Sequence, residues 1–157
     1  MTANAEDRTT APDLAQAIVG QAPDAIVYAD REGLIRAWNH GAERLFGYAA
    51  AEVLGESLDV IIPEPLRKAH WEGYDRAMAT GRTRNDGRAT VTRSMHRDGR
   101  RLYVDISFAV ILDAAGTAVG ALAIGRDATA RHEAERAARS RLAALEAAAP
   151  APGPAGG

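Results

Sequence analysis

The stretch PEPLRKAHWEGYDRAMATG, Pro63 to Gly81, sets one histidine in the middle of a helix-forming run. Imidazole is the commonest metal ligand among side chains and changes charge near neutral pH. At 3.6 residues per turn, Leu66, His70, Gly73 and Ala77 share one helix face, so His70 stands in a stripe that is otherwise apolar and small. A neutral ring nitrogen there can give its lone pair to a metal, with the missing bulk at Gly73 and Ala77 leaving a hollow beside it. A plainer reading fits equally: a core histidine hydrogen-bonded to a backbone carbonyl, on a helix whose small residues allow close approach to a sheet. The other histidines read as surface residues, His40 near a helix start, His96 beside a turn and His132 among charges.

Bulk properties narrow the chemistry. The chain has 157 residues, a formal charge of -2 and 25% charged residues, which argues against a general affinity for nucleic acid or anionic membranes. Seven arginines lie between Arg82 and Arg101, but no aromatic residues interleave them as base-stacking platforms would require. Cysteine is absent, which removes disulfides, thiolate ligands and cysteine nucleophiles. No P-loop, nucleophilic triad or paired catalytic carboxylates occur, so the expectation is a protein that is not an enzyme. Without a signal peptide or an apolar run of about 18 residues, cytoplasmic residence is expected.

The elements that must position His70 follow from turn and periodicity signals. Residues 1–10 read as a disordered tail, and Pro12 to Gly20 as a short helix. Two β-prone runs, Ala25–Ala29 and Leu34–Trp38, flank a turn at Asp30 to Gly33. Asn39 suits the N-cap of the next helix, and short helices follow until Pro63. The His70 helix then runs from Glu64 to Thr80. Asp98-Gly99 joins two strands, the second of which alternates cleanly, with Leu102, Val104, Ile106 and Phe108 on one side. A turn at Asp113 to Gly116 leads into TAVGALAIGRD. This order predicts an α+β domain over residues 11–127, an antiparallel sheet with helices on one face enclosing one apolar pocket. Residues 128–148 read as a separate helix with an intermittent seam of Ala134, Ala138, Leu142 and Leu145, able to form a coiled coil with a second copy. Residues 149–157 read as a flexible tail.

The segments WNHGAERLFGYAAAEVLG, RDGRRLYVDIS and GRDATARHEAE resemble, in this order, motifs of the PAS sensory domain family. The resemblance covers residues 13–146 and implies the PAS fold, with a five-stranded antiparallel sheet and a C-terminal signalling helix after the Asp-x-Thr of Asp127 and Thr129. Within that family, Pro63-Glu64-Pro65, Arg67, His70, Arg76, Thr80 and Asp98-Gly99 are similar to the haem-binding PAS domains of rhizobial oxygen-sensor kinases. The resemblance implies haem b held by His70 as metal ligand, Arg76 near a propionate, and Val104, Ile106, Phe108 and Ile124 lining the cofactor. The position of the family's distal arginine holds Thr90, and Arg88 shares its strand face if the strand is regular. The cysteine of light-sensing flavin PAS domains has no counterpart. The expected function is therefore a sensory, signal-transducing domain, either taking haem and sensing a diatomic gas (O2, CO or NO), or acting as a cofactor-free interaction module or sensor of another small ligand. A homodimer through the terminal helices and a separate output protein or effector domain complete the expectation.

Overall fold

A computed structural model describes residues 13–150 of the chain. The tail expected at 1–10 and most of that at 149–157 lie outside the described residues. The elements are α1 (Leu14–Gln21), β1 (Ala25–Asp30), β2 (Ile35–Trp38), α2 (His40–Phe46), α3 (Ala50–Val53), a 3-10 turn (Leu58–Val60), α4 (Glu64–Thr80), β3 (Thr90–Met95), β4 (Arg101–Leu112), β5 (Ala118–Asp127) and α5 (Thr129–Ala148). The strands form one antiparallel sheet in the order β2-β1-β5-β4-β3, the five-stranded α+β architecture that the sequence implied.

Local chemistry fixes the turns. Asp30 Oδ1 accepts from the Glu32 and Leu34 amides at 3.1 and 3.0 Å, while Gly33 takes a φ of 78° that a side chain would strain. A Cβ at Gly33 would also overlap the Trp71 ring of α4, so this glycine is required twice over. Asp113 repeats the device, its Oδ1 accepting from Ala115 and Thr117.

Asn39 ties the N-terminal half together. The side chain is 4% exposed. Its Oδ1 accepts from Ile26 N at 2.8 Å and from Ala42 N at 2.9 Å, the second bond being the expected N-cap of α2. Its Nδ2 donates to Val19 O and Asp24 O at 2.9 and 3.0 Å, with Ala22 O more distant at 3.3 Å. One amide group thus joins α1, β1 and α2.

The helix side of the sheet is built from Ala25, Val27 and Ala29 of β1, Ala121, Ala123 and Gly125 of β5, and Val104, Ile106, Phe108 and Val110 of β4. Small residues dominate its centre, and α4 lies there. Tyr74, 7% exposed, reaches through to β1, where its hydroxyl donates to Ala29 O at 3.1 Å and approaches Asp30 O at 2.5 Å. Burial pushes the Tyr74 phenol up to about 12.

Two outcomes follow. Asn39→Ala leaves several buried backbone groups without partners and should cost about 3 kcal/mol, lowering Tm by roughly 9 °C in thermal unfolding followed by circular dichroism. Asn39→Asp, which keeps the acceptor and loses the donors, should fall between Asn39→Ala and the unsubstituted chain. For Tyr74, an ultraviolet titration should show one phenol ionising near pH 12, absent in Tyr74→Phe. Because folding raises that pKa, its contribution is complete below the unfolded value of about 10 and declines as pH rises from there toward 12.

Candidate functional site

His70 lies at mid-length in α4, half-buried, one residue away from the face that points inward. The buried residues of the helix are Tyr74 and Met78, and Trp71 packs against the core beside them. Trp71, Tyr74 and Met78 stand at i, i+3 and i+7, a stripe turned by about 100° from that of Leu66, His70, Gly73 and Ala77. The helix adopts the orientation that buries its largest apolar side chains. Gly73 is consequently exposed, and a Cβ added there would meet no protein atom within 4 Å. The hollow expected beside Gly73 is solvent, which corrects the sequence reading.

The imidazole sits in an aromatic cluster. Its ring centroid lies 4.8 Å from Trp71, edge-on, and 5.9 Å from Tyr74. The Trp71 indole N–H donates to Asp59 Oδ1 at 2.9 Å, and Arg67 donates to Ile62 O and to Asp59 O, so the 3-10 turn is held against the first turns of α4. Burial holds the His70 pKa below its ordinary value, with the Asp59 carboxylate opposing the shift, so the ring is neutral at pH 7. Among the described residues, His70 Nδ1 is the only buried side-chain nitrogen or oxygen without a hydrogen-bond partner. A neutral imidazole with one buried, unpartnered nitrogen has the electronic state needed of a nitrogen ligand, and the plainer reading of a carbonyl-bonded core histidine finds no partner here.

The other candidates separate. Val104 is 1% exposed, and Ile106 and Phe108 are half-buried on the helix side of the sheet, as expected. Thr90 pairs with Ile106 in β3 and shares that face. Ile124 pairs with Ile26 and Ser107, so it projects from the opposite face, where it is 39% exposed; its assignment to the lining is corrected. Large residues on β5 face outward because the inner positions must stay small beneath Tyr74. Arg88 lies before β3, in the turn around Asp86, whose φ is 52°, so the regular alternation linking it to Thr90 is absent. Arg76 is exposed on the outer side of α4, with no carboxylate within 4 Å among the described residues.

The interior is asymmetric. On the β1 side Ala25, Val27 and Ala29 are buried at 5%, 4% and 1% exposure, whereas along β4 the half-buried Ile106, Phe108 and Val110 remain within reach of solvent. The enclosed apolar pocket expected there is replaced by this partly uncovered strip. Two surface crevices, of about 460 and 210 Å3, lie elsewhere and include none of the sequence-derived candidates. Sequence reasoning read Trp71 as a packing or rim residue, and it packs against the core; Tyr74 and Asp59 were missed. The signal for Tyr74 was present as a second stripe in the same helix.

Residues 19–133 match a PAS fold family. The chain is 29% identical over 92 residues to the sensor protein FixL of Bradyrhizobium diazoefficiens, covering 59% of this chain and 18% of that protein. It is 29% identical over 143 residues to the oxygen sensor protein DosP of Escherichia coli, covering 91% of this chain and 17% of that one. The chain thus spans less than a fifth of these relatives. Among solved structures it is similar to the PAS domain of a protein from Colwellia psychrerythraea, at 25% identity and a TM-score of 0.65 over 74% of this chain and 95% of that one. With the sheet order, the helix side and the match over residues 19–133 in agreement, the chain belongs to the PAS fold family.

Proposed function

We propose that the domain takes haem b through His70 and senses a diatomic gas (O2, CO or NO). The observation that carries this reading is the buried, unpartnered Nδ1 of a neutral imidazole on the helix that closes one side of the sheet. The half-buried Ile106, Phe108 and Val110 supply an apolar strip on the same side of the sheet, with the Thr90 hydroxyl on its β3 flank. Support also comes from the similarity to an oxygen sensor protein over 91% of the chain. When bound, the iron would supply the coordination position that a gas occupies. The chain's own part is to present a neutral nitrogen, offer apolar side chains to the ring and carry changes in α4 to the sheet. In this reading the domain senses and does not catalyse.

Output runs through α5. Ala128, 5% exposed, donates its amide to Tyr103 O, and Thr129 Oγ1 accepts from Tyr103 N at 3.0 Å, so the helix starts on the edge of β4. Beyond it Leu142 and Leu145 are 57% and 64% exposed, and on α1 Leu14 and Ile18 are 72% and 61% exposed. Covering these leucines with a second copy gives a homodimer, in which a change at the sheet alters the relative pose of the two exit helices. An effector domain or separate output protein would read that pose.

The purified chain titrated with haem should develop a sharp Soret band, lost or shifted in His70→Ala. Failure of the unsubstituted chain to take up haem removes the reading and favours an interaction module without a cofactor. The protonation state is tested separately. In a proton NMR titration the His70 ring should titrate below its ordinary pKa of about 6.5. Folding depresses that pKa, so the contribution to stability is complete above pH 6.5 and is lost as pH falls below it. His70→Gln should flatten the acid limb of the stability profile in this window.

A further inference from the structure

The larger crevice, about 460 Å3, lies between the first turns of α5, the β3–β4 hairpin and Pro63, the N-cap of α4. Its walls combine three chemistries. Tyr103 and His132 stack with centroids 4.0 Å apart and planes 26° from parallel, and both line the crevice. Pro63 and Met95 supply apolar contact. Arg101 and Arg136 bring two guanidinium groups, one from β4 and one from α5.

Those two cations are free to take a ligand. The neighbouring carboxylates are committed elsewhere, Asp98 to Arg100 at 3.4 Å and Asp105 to Arg131 at 3.2 Å. Neither Arg101 nor Arg136 has a carboxylate within 4 Å among the described residues, although Glu133 lines the same crevice. One carboxylate against two guanidinium groups leaves room for a single negative charge and disfavours a dianion. A volume of this size suits a small organic molecule rather than an inorganic ion.

We propose that this crevice binds a small aromatic monocarboxylate, its ring against the Tyr103–His132 stack and Pro63, its carboxylate between Arg101 and Arg136. The ligand bridges β4 and the first turns of α5, so its binding restrains the exit helix. This is an input to the same helix that bypasses His70.

Benzoate titrated into the full chain tests the assignment, followed by isothermal calorimetry and by amide shifts in 15N-labelled protein. Millimolar or tighter binding is expected, with shifts concentrated at Met95, Tyr103 and residues 132–136. Arg101→Glu and Arg136→Glu should each weaken it at least tenfold with an unchanged circular dichroism spectrum. Both side chains are exposed, so folding is not at stake. His132→Ala should weaken benzoate, and His70→Ala should leave it unaltered, which separates this site from the haem reading. Absence of benzoate binding, binding indifferent to both arginine substitutions, or equal binding of inorganic phosphate would each overturn the proposal.

Discussion

The smallness of the sheet's centre governs this domain. Ala25, Ala29, Ala121, Ala123 and Gly125 leave a shallow trough into which α4 lowers its Tyr74 ring until the hydroxyl meets the backbone of β1. Larger residues at these positions would hold the helix off the sheet and leave the phenol without acceptors. At Gly125 a Cβ would press on Val104 and Ile106, so the glycine also lets β4 keep its branched side chains over the core. The trough and Tyr74 together fix how α4 is rotated, and that rotation decides what every other residue of the helix faces.

His70 owes its surroundings to this rotation. One residue from the inward stripe, it is neither a solvated surface histidine nor a saturated core residue. It is held between Trp71 and Tyr74 with one nitrogen buried and unpartnered. A lone buried donor or acceptor of this kind is costly, and such groups tend to persist where a ligand or function uses them. The same rotation packs the β1 side of the interior and leaves the β4 side only partly covered. The asymmetry directs any interior occupant toward the strand that also receives α5.

That strand is where the domain's surfaces converge. Residues 104, 106 and 108 of β4 face the helices, while Tyr103 on the other side stacks on His132 and holds the Thr129 hydroxyl. A displacement of β4 from either face therefore reaches the base of α5 through one or two contacts. The rest of α5 has no buried residue, so its direction depends on this short anchorage.

Much of the architecture was legible along the chain. Asp-Gly turns, the Asn39 cap, the glycines at helix ends and the alternation of β4 are local devices, and each acts over a few residues whatever surrounds it. Strand number and element order followed from them. Tertiary structure alone decided which of two overlapping stripes on α4 turned inward, because Leu66–His70–Gly73–Ala77 and Trp71–Tyr74–Met78 are equally periodic. The choice depends on a trough assembled from β1 and β5, about a hundred residues apart in sequence. It likewise sent Ile124 outward, against the ordinary preference for burying a large aliphatic residue, because the inner position beside it had to remain small. Periodicity states which residues share a face; only the opposing surface determines which face is buried.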